Sequence, residues 1–159
     1  MIVKDLAPHS RVWIYQSNRE WNQAETAYVE EQARLFVQNW MAHGKPVHGW
    51  FEVKYNRFLI LFADEEATSV SGCSIDSSVA FVKKIGAELN CDFFDRKQMA
   101  WLEQDEVKTK IMHEFWALRK AGVITGETMV FNNLVKDKAE FDSSWISPFD
   151  KSWHAEMFR

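Results

Sequence analysis

The chain has 159 residues, 47% of them hydrophobic and 26% charged, with a formal net charge of −4. These proportions fit a globular protein with a substantial core and exclude a disordered or fibrous one. No Lys/Arg run exceeds two residues, which argues against a nucleic-acid partner, and no apolar stretch approaches the roughly 20 residues of a membrane span.

The first residues lack the apolar segment of a secretory leader, and two cysteines fit a reduced, cytoplasmic protein with no disulfide. The anomaly is aromatic: eight Trp and twelve Phe against three Tyr. Rings in such number fill cores, and where they are exposed they mark a ligand or partner surface.

Arg11 to Gln16 is aromatic and β-branched and reads as a first strand. Asn22 with Glu25 three residues on is a capping-box pattern. From there to His43, Val29, Ala33, Phe36, Val37, Trp40 and Met41 recur at helical spacing, with Gly44 and Pro46 expected to end the helix. His48–Tyr55 and Arg57–Ala63 read as two strands around Asn56. Phe58–Phe62 is apolar throughout, as in a central strand covered on both faces. Ser74 is placed to cap a second helix with Ile75, Val79, Val82, Ile85 or Gly86, and Leu89 on its buried face. Residues 98–102 offer a fourth strand.

The order strand, helix, strand, strand, helix, strand is that of a split βαβ, or ferredoxin-like, unit. The expected class is therefore α+β, with a ferredoxin-like unit over 1–102 and an extension over 103–159, either separate or part of one domain. In the extension, residues 103–106 read as a polar loop and Thr109 as the cap of a short helix reaching Lys120. Thr128 to Phe131 reads as a strand. The irregular tail 132–159 carries Phe141, Trp145, Phe149, Trp153 and Phe158, too many rings for a disordered segment, so it is expected to pack back onto the rest.

Several stretches carry a resemblance along the whole chain: His9–Gln16, Tyr55–Phe58, Ser71–Asp76, Phe93–Arg96, Phe131–Val135 and Ser152–His154. Together they resemble a family of bacterial proteins of about this length commonly labelled ABC transporter ATPases. The residues exclude that activity. A P-loop needs a glycine-rich turn followed by Lys and Ser/Thr. Here the only Gly-Lys pair, Gly44-Lys45, is followed by Pro46, and Asn39 stands where the upstream glycine belongs.

Residues 113–145 are similar to the helix, turn and strand of GYF-type adaptor modules, through Glu114-Phe115, Leu118, Gly122–Thr125, Glu127–Val130 and Trp145. That resemblance implies an aromatic cleft for proline-rich peptides. Two stretches depart from the pattern, Val107–Lys110 and Ala100-Trp101.

Cys73 is the most reactive candidate. It follows Gly72 and opens a helix through Ser74 and Asp76, where backbone amides and the helix dipole favour a thiolate or hold a small anion. Nucleophilic chemistry there requires a base, His154 or His9, folded against it. The bland alternative is a small buried residue. Arg57 and Arg96 are the candidate anion clamp, with pairing of Arg96 to Asp95 as the structural alternative. Ser152-Trp153-His154 reads as a tail anchor or as part of a site. No histidine or cysteine spacing suits a metal, and no cofactor is implied.

Two functions compete. One is a non-enzymatic module that binds a protein or peptide in an exposed groove lined by Trp101, Trp116 and Trp145. The other is a thiol-dependent or anion-binding site centred on Cys73. A homodimer formed through an exposed sheet face is a third expectation.

Overall fold

The computed structural model describes residues 6–65 and 72–159, with only the backbone of Cys73. It is a mixed α+β protein of two compact units, one comprising 1–94 with 136–139, the other 95–135 with 140–159.

The first unit begins with β1 (Arg11–Gln16) and α1 (Gln23–Asn39). Asn22 and Glu25 form the reciprocal capping box: Asn22 Oδ1 accepts from the Glu25 N–H at 2.8 Å, and Glu25 Oε1 accepts from the Asn22 N–H at 3.0 Å. The helix stops at Asn39, earlier than the periodicity suggests. Trp40 turns extended and donates its indole N–H to the Ser74 carbonyl at 2.9 Å. Gly44 is not the helix end. With His43 it forms the left-handed turn of a small hairpin, β2 (Met41–Ala42) and β3 (Lys45–Pro46).

Next come β4 (Gly49–Lys54) and β5 (Phe58–Ala63), joined through Tyr55 and Asn56, both at positive φ. The sheet order is β1-β5-β4, antiparallel throughout. Every residue of β5 has no exposed surface, as its unbroken apolar sequence requires of a central strand. Both faces of this central strand are therefore covered within the chain.

Then α2 (Gly72–Leu89) packs with α1 over one side of the sheet. Val29, Ala33 and Val37 of α1 meet Val82 and Ile85 of α2, Leu59 and Leu61 of β5, and Tyr15 of β1. The helix starts two residues before Ser74, which lies inside its first turn. Its buried face includes Ser74 and Ser78, while Ile75, Val79 and Leu89 are only half-buried.

The second unit holds the strand expected to complete the first sheet. β6 (Gln98–Glu103) pairs with β7 (Glu106–Ile111) and β8 (Met129–Phe131), in a sheet ordered β7-β6-β8-β9. The sequence boundary after residue 102 therefore falls inside this unit. Residues 103–106 form a tight turn, with Gln104 and Asp105 left-handed, rather than a loop. Thr109 lies in β7, and α3 (Met112–Lys120) starts without a side-chain cap.

The tail is ordered structure: α4 (Lys138–Ser144), β9 (Ile146–Pro148) against β8, one 3-10 turn (Phe149–Lys151) and α5 (His154–Met157). Phe149 and Phe158 enter the core beside Trp101, Phe115, Ile124 and Val130. The short segment that belongs to the first unit lies along the free side of β1. There Asp137 bridges Arg11, and the Val12 N–H donates to the Lys136 carbonyl at 3.0 Å.

Candidate functional site

The tail anchor is built around His154. Strand β9 and the 3-10 turn bring Ser152 to the start of α5, where its hydroxyl lies 2.7 Å from His154 Nδ1. The imidazole is stacked on Trp153 with centroids 3.9 Å apart, and Phe115, Phe149 and Phe158 surround it. It is 1% exposed, and burial pushes its pKa down from 6.5 to about 4. An imidazole in this setting is neutral at pH 7 and serves as packing.

Of the three tryptophans expected to line a groove, two are core residues. Trp101 is 5% exposed in β6 and Trp145 is 4% exposed, so the three-ring groove is corrected. Trp145 stacks on Phe141 and donates its indole N–H to Asn133 Oδ1 at 2.9 Å. Trp116 differs. It follows Phe115 on α3, and the 100° helical step takes it from the buried side to 44% exposure. Lys120, one turn on, holds its Nζ 3.8 Å from the ring centroid.

In the first unit, Gly72 is the exposed first residue of α2, with open space around its Cα. Asp76 is exposed, and the Ser74 carbonyl takes the Trp40 indole and the Ser77 hydroxyl. The Cys73 thiol lies outside the described residues. Cys73 belongs to the first unit and His154 to the second. His9, exposed, lies 3.0 Å from Asp64 through Nε2.

The two arginines of the expected clamp also belong to different units. Arg96 is exposed, and Asp95 does not pair with it but accepts the Lys97 N–H at 3.0 Å. Arg57 is 9% exposed, in the turn just before β5. Its Nε and Nη1 are buried with no acceptor, and burial lowers its pKa, with Glu20 opposing that shift. Trp21, absent from the sequence reading, is 2% exposed, and its Nε1 also lacks an acceptor. The only signal for it was an indole directly before a helix cap.

Among the described residues no cluster of His, Cys, Asp and Glu suits a metal ion, and no helix is long and apolar enough to cross a membrane. No family model matches the chain, and no curated protein or solved structure matches it significantly.

Proposed function

We propose that the protein is a non-catalytic binding module whose second unit takes a proline-rich peptide segment of a partner protein, with Trp116 as the anchoring ring. The observation that carries this reading is the exposure of that indole. A tryptophan fixed on a helix and left 44% in water presents a large apolar face at little entropic cost, and covering it against a partner is favourable. Proline rings pack well on such a face, and their preformed extended helix loses little freedom on binding.

The GYF-type likeness of residues 113–145 supports the same reading. In it, Trp101 and Trp145 belong to the scaffold and Trp116 makes the contact. The likeness to the bacterial family labelled ABC transporter ATPases is read as kinship of chains that lack a P-loop. The first unit is read as a three-stranded relative of the ferredoxin-like arrangement. Its β1-β5-β4 order is that of the split βαβ motif, and Lys136–Asp137 lies where the outer strand would pair. Thiol chemistry based on Cys73 and His154 is not favoured, because the imidazole is committed to the aromatic core.

The test is selection from a phage-displayed proline-rich peptide library against the whole chain and against Trp116→Ala. Enrichment of a common motif on the wild type alone supports the reading. No enrichment, or equal enrichment on both, overturns it.

A further inference from the structure

Among the described residues of the first unit, three buried side chains have polar atoms without a partner. One is the Ser10 hydroxyl; the other two, both nitrogen donors, are Arg57, through Nε and Nη1, and Trp21, through Nε1. The backbone brings them to one place. The Ser17 N–H donates to the Arg57 carbonyl at 2.7 Å, which continues the β1–β5 pairing one step beyond Gln16 and Phe58. Arg57 lies in the turn one residue before β5, and this continued register with Ser17 places it at a position on the same side as Leu59 and Leu61. Trp21 packs on that side in the core with both leucines, and its backbone N–H donates to the Asn56 carbonyl at 2.7 Å, one residue before Arg57. Phe93, 5.7 Å from the Trp21 ring, adds an apolar wall.

A guanidinium stays charged at any accessible pH, and burying it without an acceptor is costly. Native structures leave few buried polar atoms unpaired, so those that remain point to a missing water, ion or ligand. Glu20, exposed and adjacent to Trp21, is the carboxylate whose field reaches Arg57, yet among the described residues no ion pair joins them. What the place lacks is negative charge and oxygen lone pairs. A water supplies the lone pairs but not the charge. An oxyanion supplies both, and it bonds a buried guanidinium more strongly than a neutral acceptor does.

We propose that Arg57 and Trp21 form a binding site for an oxyanion, a carboxylate or phosphate group, at the hairpin end of the first unit's core. The site is independent of the peptide reading. It takes Arg57 from the expected clamp and replaces Arg96 by a tryptophan.

The experiment uses the ¹⁵N-labelled full chain, titrated with inorganic phosphate and separately with acetate, the ionic strength being held with sodium chloride. The Trp21 indole signal is identified with Trp21→Phe. A saturable shift of the Trp21 Nε1–H and the Arg57 Nε–H, with a rise in melting temperature, is expected for at least one anion. The tighter of the two identifies the group. Trp21→Phe is expected to weaken binding about tenfold, the loss of one hydrogen bond to a charged acceptor.

Arg57→Met is expected to abolish the response while melting, without anion, no lower than the wild type, because it removes an unpaired buried charge. Arg57→Lys, which keeps the charge, is expected to retain part of the anion-dependent stabilisation. Three results overturn the proposal: no saturable shift with either anion, a shift reproduced by chloride, or an Arg57→Met protein that is strongly destabilised without anion.

Discussion

The hydroxyl of Ser152 and Nδ1 of His154 are 2.7 Å apart, and the bond holds an imidazole that is 1% exposed against the face of Trp153. Burial keeps that ring neutral, with its pKa lowered from 6.5 to about 4. The unfolded chain therefore binds a proton that the folded chain refuses between those values, so stability is full above pH 6.5 and falls as the pH drops toward 4. The loss is on the order of 3 kcal/mol. Urea denaturation at pH 7 and pH 4.5 measures it, and His154→Phe should flatten the dependence. The His154 ring signals should show no titration between pH 8 and pH 5.

The tryptophans separate by burial. Trp101→Ala and Trp145→Ala remove rings that are 5% and 4% exposed, and each should cost about 3 to 5 kcal/mol. Trp116→Ala, at 44% exposure, loses a half-covered ring and its Lys120 contact and should cost about 1 kcal/mol, well below the other two. Chemical denaturation of the three variants checks the ordering. A Trp116→Ala protein as unstable as the other two would make the indole a structural residue.

Gly49 is fixed by close approach. A Cβ there would lie 2.8 Å from the Phe62 carbonyl oxygen and 3.1 Å from the Trp40 ring. The oxygen belongs to β5, which is paired on both sides, so it cannot retreat. Gly49→Ala should destabilise by about 1 to 3 kcal/mol and lower the melting temperature.

The start of α1 depends on a reciprocal cap that Arg19 reinforces. Its two guanidinium contacts to Glu25 and the Asn22 N–H hold the Glu25 carboxyl at a pKa of about 2. Asn22→Ala should cost about 1 kcal/mol, measured by thermal or urea unfolding, and Asn22→Asp should retain most of the stability. The Glu25 contribution is full above the ordinary 4.5 and is lost progressively as the pH falls from there to about 2.

Local chemistry was legible where one segment determines its own structure. Asn22 and Glu25 announce the start of α1, and the unbroken run Phe58–Phe62 announces a strand covered on both sides. It was not legible where a distant contact decides. Residues 37–43 carry helical spacing, but the chain leaves the helix at Asn39 so that Trp40 reaches the Ser74 carbonyl, 34 residues away. Thr109 looks like a cap, yet pairing with Ala100 draws it into β7. Residues 98–102 were recognisable as a strand, but the partners of β6 (β7 and β8) lie later in the chain, so alternation gave no means of assigning its sheet. For the candidate sites, residue type proposed Arg57, whereas Trp21 emerged only from its buried, unpartnered indole N–H and its backbone bond to the Asn56 carbonyl.

The role of Trp116 as the anchor of a peptide contact is tested most directly by calorimetric titration of a selected proline-rich peptide into the whole chain and into Trp116→Ala. The account predicts saturable binding to the wild type and at least tenfold weaker binding to the variant, with both proteins fully folded at the titration temperature. Equal affinity for both, or no measurable heat with the wild type, would contradict it.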